Sequence, residues 1–188
     1  MEKIEGKNIK LELVTNKDID FILNIRHNHK HKKNLGKTVL THEEQRKWLD
    51  EYKKREKEKK DFYYVISLRN ENEEKVGLIR VYDIVDNTFE QGSLVIKEGQ
   101  PINIILETLK LIYTFTFENM KFKEGRLRVK KANKTGNKFH KNYGAVLYKE
   151  DEEMNYYKVY SECIVKISNI LKRNGSVGAV PLFPFNSI

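Results

Sequence analysis

Asn8–Val14 (NIKLELV) sets Ile9, Leu11 and Leu13 against polar neighbours, the period-two pattern of a half-buried strand. Thr15-Asn16-Lys17-Asp18 reads as a helix start, with Thr15 as cap and Asp18 in the first turn. Ile19, Ile22 and Leu23 give that helix a buried stripe, and it ends near Arg26. Thr41-His42-Glu43-Glu44 is a capping box that opens a helix running to about Lys57, with Trp48, Leu49 and Tyr52 on one face. Strands follow at Asp61–Leu68, Lys75–Ile84 and Thr88–Ile96, an antiparallel meander turned at Asn70–Glu73. Lys97-Glu98-Gly99-Gln100 interrupts the pattern, and Pro101 suits the first position of a long helix. Within it Ile102, Ile105, Leu106, Leu109, Ile112, Tyr113 and Thr116 keep helical period. Arg126–Lys131 alternates as a strand, and Asn133 caps a short helix that places Phe139 and Tyr143 on one face and exits at Gly144. Final strands are expected at about Val146–Lys149 and Tyr156–Ile167.

At 188 residues the pattern makes one domain, 1–173, with an apolar tail, 174–188 (NGSVGAVPLFPFNSI), expected to pack on the domain or on a second subunit. Net charge of +9 raises nucleic acid as a partner, but the excess is nearly all lysine beside many Asn, Ile and Glu, a bias that coding composition also produces. Nucleic acid is therefore not the favoured partner. The single cysteine, Cys163, lies in an apolar run, excludes an internal disulfide or a multi-thiolate zinc site, and fits a reducing, cytoplasmic setting. The N-terminus lacks an apolar targeting core and no stretch is long enough to span a bilayer, so no membrane is expected. His27, His29 and His31 stand among lysines without a nearby thiolate or carboxylate, which argues a solvated loop and no metal.

The spacing Asn133, Gly136, His140, Gly144 after a strand resembles the late strand–helix unit of the GCN5-related N-acetyltransferases, as does the element order from about residue 8 to 165. Arg26–Asn28 followed by the Thr41–Glu44 helix start is similar to the members that acetylate nucleotide-linked amino sugars in pseudaminic acid synthesis. The resemblance implies an α/β single-domain fold with a mixed, mostly antiparallel sheet of about seven strands and about four helices. It also implies acetyl-CoA as acyl donor and an amine acceptor, most plausibly a nucleotide-linked amino sugar; the apolar tail adds a homodimer through the C-terminal region as one expected arrangement.

In that fold the donor's pyrophosphate lies on the N-terminus of the long helix, where exposed amides and the helix dipole favour anions. The residues implied for cofactor binding are Leu94, Val95, Ile96, Lys97, Gly99, Gln100, Ile102, Asn103, Asn133 and Asn137. The loop departs from the family's small-residue pattern: only Gly99 is small, Pro101 has no N–H, Glu98 carries the wrong charge, and Ile102 and Ile104 are bulky. Glu90 matches the strand glutamate that takes the ammonium proton, and a half-buried carboxylate suits a base at neutral pH. A backbone N–H near Leu94–Ile96 is expected to support the oxyanion, and His140 to protonate the leaving thiolate. Arg26, Asn28, His29 and Tyr82 are expected at the acceptor, an arginine fork being suited to phosphate. Rival readings are a catalytically silent binder with the same fold, an acetyltransferase of protein or peptide amines, and an RNA-binding domain.

Overall fold

The computed structural model describes residues 3–27 and 41–176. Asn28 and His29 of the expected acceptor loop, and the tail from residue 177 on, lie outside the described residues. The strands are β1 (Lys3–Glu5), β2 (Ile9–Leu13), β3 (Phe62–Leu68), β4 (Lys75–Val85), β5 (Thr88–Ile96), β6 (Glu124–Lys130), β7 (Val146–Glu150) and β8 (Met154–Val159). They form one eight-stranded sheet in the order β1-β2-β3-β4-β5-β6-β8-β7, antiparallel except where β5 meets β6. Among the described residues five α-helices cover it: α1 (Ile19–His27), α2 (His42–Lys57), α3 (Ile102–Tyr113), α4 (Lys134–Asn142) and α5 (Glu162–Ser176).

Alternation along the strands splits the core into two. On one face Ile9, Leu11, Tyr64, Ile79, Val81 and Phe89 pack under α3, α4 and α5 through Leu109, Ile112, Phe139, Tyr143 and Ile167. On the other, Tyr63, Val65, Leu78 and Val95 pack against α1 and α2 through Ile22, Leu23, Leu49 and Tyr52. That second core draws on β3, β4 and β5 alone, so the same face of β6, β8 and β7 carries no described helix.

The capping boxes form as read. Thr15 and Asp18 close on each other ahead of a 3₁₀ turn that leads into α1, and the Glu44 amide donates to Thr41 Oγ1 at 3.2 Å while Glu44 accepts from the Thr41 amide at 3.1 Å. Losing one such cap costs about 1 kcal/mol. Thr41→Ala is therefore expected to lower Tm by about 2–4 °C for a domain of this size, measured by thermal unfolding.

Two elements differ from expectation. The strand expected over Tyr156–Ile167 ends at Val159, and α5 begins at Glu162. Cys163 and Ile167 stand four apart and are both buried, with Ile164, Ile170 and Leu171 packed beside them, which is helical period in β-branched residues. Pro101 is the N-cap of α3 rather than its first residue, and the helix runs past Tyr113 into a π-helical segment, Thr114–Asn119. The short, polar β1, unread in the sequence, pairs with β2.

Candidate active site

The site begins where two neighbouring strands part. β5 and β6 run parallel and pair only over Thr88–Glu90 with Glu124–Arg126. Beyond Glu90, β5 continues to Ile96 and β6 to Lys130 with no pairing between them, leaving a wedge in the sheet. The β6-facing edge of Gln91–Ile96 therefore presents amides without a strand partner among the described residues, and a buried edge of that kind calls for one. Leu94, Val95 and Ile96 are all buried along it.

Midway along, β5 bulges. Leu78 opposes Val95 and Arg80 opposes Gly92, so Ser93 and Leu94 together face Ile79. Ser93 has φ of 51°, a left-handed conformation that a non-glycine residue holds only when the surroundings enforce it. The Arg26 guanidinium on α1 reaches Ser93 Oγ at 3.5 Å. Gly92 has its own reason to lack a side chain: a Cβ there would stand 2.9 Å from the Tyr82 ring and hydroxyl.

Tyr82 uses that room to reach Glu90. Its hydroxyl donates to Glu90 Oε1 at 2.6 Å, and Arg128 Nε on β6 lies 2.9 Å from the same oxygen. Glu90 Oε2 has no partner among the described residues, and the side chain is 20% exposed. One oxygen is held and the other is free, which is the arrangement a positioned base needs. Burial, helped by the Glu90 bond, pushes the Tyr82 hydroxyl up to about 12, so it stays a donor at working pH.

Beside the bulge lies a hollow of about 100 Å³ lined by Arg26, Gln45, Trp48, Tyr63, Arg80 and Ser93, with Ile22 at its floor. Gln45 is buried, and the Tyr63 hydroxyl is buried without a hydrogen-bond partner, with the Arg26 guanidinium near it. Arg80 is held by Asp61 through Nε at 2.8 Å, and Asp61 also takes Arg55 Nε at 3.0 Å. The Arg80 guanidinium lies over the rings of Trp48 and Tyr82 at 5.0 and 4.5 Å, which joins the hollow to the Glu90 side. Gln45, Tyr63, Arg80, Ser93 and Arg128 were not singled out in the sequence. The available signals were a glutamine on the apolar stripe of α2 and the small pair Gly92-Ser93 inside a strand.

At the start of α3 the unusual loop turns out to be open. Gly99 has φ of 81°, and a Cβ on it would meet nothing within 4 Å. Ile104 is buried and Ile102 packs against the same core, so the isoleucines point inward and away from the helix end. Pro101 offers no side-chain cap, and the Ile102 and Asn103 amides have no hydrogen-bond partner among the described residues at the positive end of the dipole. Lys97 pairs with Glu74 at 3.0 Å, Gln100 is half-buried, and the Asn103 side chain accepts from Asn174 of α5 at 3.2 Å.

On α4 two of the expected site residues are drawn into the protein's own hydrogen bonding. Asn137 gives both amide hydrogens to the Lys130 and Asn133 carbonyls at 2.9 and 2.7 Å and takes Asn155 Nδ2 and Tyr157 Oη at 2.7 Å each. Its capacity is filled inside the protein, which leaves nothing for a cofactor. His140 is 1% exposed, with Nδ1 on the Tyr143 hydroxyl and Nε2 buried without a partner. Burial pushes its pKa down to about 3, so at neutral pH it holds no imidazolium proton to hand to a thiolate. Asn133 is an N-cap whose oxygen accepts from the Gly136 amide at 2.9 Å.

Among the described residues no cluster of His, Cys, Asp or Glu could hold a metal, and no helix is long and apolar enough to cross a membrane. Bulge, wedge and open helix end fit a thioester donor with a diphosphate tail: amides for the anion, a gap for the chain, and a free carboxylate oxygen beside it.

Comparison with known proteins agrees. No curated protein matches the sequence. Among solved structures, the apo form of FdhC, a nucleotide-linked sugar GNAT, shares 26% identity at a TM-score of 0.78 and covers 92% of this chain and 96% of its own. RimL, a ribosomal L7/L12 α-N-protein acetyltransferase in complex with coenzyme A, matches at TM-score 0.74 and 14% identity over 86% of this chain and 99% of its own. The ribosomal-protein-S5-alanine acetyltransferase from Vibrio fischeri matches at 0.72 and 16% over 85% and 96%. The model of the acetyltransferase (GNAT) domain matches residues 8–146, and the chain belongs to that family of N-acetyltransferases, with acetyl-CoA as acyl donor.

Proposed function

We propose that the acceptor is the primary amine of a nucleotide-linked amino sugar. The observation that carries this reading is the hollow beside the bulge. It is small, and its walls are hydrogen-bonding groups: the buried Gln45, the buried and unpartnered Tyr63 hydroxyl, and the half-buried Arg26 and Arg80. A polyhydroxylated ring edge can satisfy the Tyr63 hydroxyl, whereas an apolar peptide side chain would leave it buried and unpaired. The likeness to FdhC supports the same reading.

Acetyl-CoA supplies an activated acetyl group as its thioester. The chain's own residues divide the remaining work. Ile102 and Asn103 amides at the α3 start receive the diphosphate, and Lys134, Lys138 and Lys141 on α4 add positive charge on the same side of the sheet. An amide on the free edge of Leu94–Ile96 donates to the thioester carbonyl oxygen as charge develops there. Glu90 Oε2 takes the proton of the ammonium while Tyr82 and Arg128 fix the carboxylate through Oε1. The neutral amine then attacks the thioester carbon, and the C–N bond forms as the C–S bond breaks. Coenzyme A leaves as the thiolate, which takes up a proton from solvent as the new amide nitrogen sheds its second one. His140 and Asn137 hold α4 in place from within the core.

The test is a thiol-release assay with acetyl-CoA against nucleotide-linked amino sugars, free amino sugars, polyamines and peptide N-termini. Preference for peptides would end the amino-sugar reading, and no binding of acetyl-CoA in calorimetry would end the proposed donor site. Arg26→Gln is expected to raise KM for the acceptor about tenfold or more, the worth of one hydrogen bond to a charged group, with KM for acetyl-CoA unchanged.

A further inference from the structure

The hollow of about 100 Å³ is far below the ~300–1,000 Å³ of a pocket for a whole ligand, so it takes one end of the acceptor and no more. The remainder must lie elsewhere on the Glu90 face. One direction is closed by α1 and α2, and the other is the face of β6, β8 and β7 that carries no helix among the described residues.

We infer that this face is the landing for the nucleoside diphosphate part of the acceptor, with Arg126 and Arg128 on the phosphates and Tyr148 and Tyr156 under the base. The inference rests on the nucleotide-linked reading above. Register places the residues on one face. Glu90 stands beside Arg126, Arg126 opposes Lys158, and Arg128 opposes Tyr156. Arg126 and Arg128 are about half exposed, and Tyr148 is 44% exposed. The carboxylates present are Glu90, Glu124 and Asp151. Arg126 and Lys158 both lean on Glu124, at 2.8 Å each, so two cations share one acid, and Asp151 takes the Tyr156 hydroxyl at 2.7 Å.

Spacing agrees with the covalent order of such a substrate. Strands lie ~5 Å apart, so the arginines are one strand from Glu90, Tyr156 two strands and Tyr148 three. A sugar amine, a diphosphate and a nucleoside come in that same order outward. Tyr148 and Tyr156 form an edge-to-face pair with ring centroids 6.4 Å apart. Lys158 and Lys149 ammonium groups rest over those rings at 5.1 and 5.3 Å. An exposed cation–π contact is worth ~0.5–1 kcal/mol and a stacked base ~1–3, so a base displaces the lysines, and their long stems let them turn to the phosphates.

Calorimetry with UDP and dTDP as probes, alongside acceptor KM, tests this on the full chain. Replacing both tyrosines, Tyr148→Ala with Tyr156→Ala, is expected to weaken nucleoside diphosphate binding about 5- to 100-fold, and the corresponding pair of Phe variants to restore it, because the rings and not the hydroxyls do the stacking. Arg126→Gln is expected to weaken binding and flatten its salt dependence. Thermal unfolding and acetyl-CoA binding report whether each variant is intact. If the Ala pair keeps full affinity, or only Arg26→Gln abolishes it, the landing is wrong. Unchanged turnover of nucleotide-linked amino sugars by the Ala pair overturns the landing and leaves the substrate reading standing. A wild-type chain that binds neither nucleotide and acetylates only free amines or peptides overturns both.

Discussion

Glu90→Gln is expected to reduce kcat/KM by about 10²–10⁴-fold, the usual worth of a positioned general base. Glutamine keeps the shape of the side chain, and its carbonyl oxygen can still accept from Tyr82 and Arg128, so the strand and the acceptor face are left in place. What disappears is the acceptor for the ammonium proton at Oε2. Acetyl-CoA affinity should not move, since the carboxylate lies on the sheet face of α1 and α2 while the open amides belong to α3 on the other. The pH profile separates a lost base from a disturbed fold. An amine that must shed its proton to solvent reacts only in its neutral fraction, so the variant's rate should climb tenfold per pH unit toward the amine pKa. Pre-steady-state acetylation across pH 6–10 is the measurement. A variant that keeps more than about a third of kcat would place the base elsewhere.

Legibility followed chain distance. The Thr41–Glu44 box and the Asn133 cap were readable because both partners of each bond lie within three residues. That Glu90 lies in a strand was readable from the local pattern, and its proposed role as base came with the family resemblance. The hollow was not, because Arg26, Gln45, Tyr63, Arg80 and Ser93 come from five elements, and no local pattern says that they meet. The 97–104 loop shows the converse failure. Its isoleucines look obstructive in sequence, but whether a bulky side chain blocks a helix end depends on which way it points, and Ile102 and Ile104 point into the core. Cys163–Ile167, at the end of the expected Tyr156–Ile167 strand, is rich in β-branched residues that favour strand, but in the structure it is helical and packs on α3, which overrides that propensity.

His140 illustrates the limit most clearly, and it yields the second large effect. Its position in the motif was legible, but its burial between Phe139, Tyr143 and Tyr157 is a tertiary fact. The histidine is kept neutral down to about pH 3 in the fold, while in the unfolded chain it titrates near 6.5. Between those values the unfolded state binds one more proton than the native state, so stability falls as pH drops, by at most ~1.4 kcal/mol per pH unit from this group. The contribution is fully present above pH 6.5 and is lost progressively below it, reaching on the order of 3 kcal/mol near pH 4.5. Urea unfolding at pH 7.5, 6, 5 and 4.5 should show that decline, and His140→Gln should flatten it by about one proton equivalent while being less stable than wild type at neutral pH. Besides the glutamine's own amide, whose burial is one reason for the lower stability, the polar atom that loses its partner is the Tyr143 hydroxyl, which Tyr113 also meets at 3.1 Å and which can turn to that partner. An identical pH slope in wild type and variant would mean that the imidazole charges inside the fold, and with it would return a route for His140 to act as an acid.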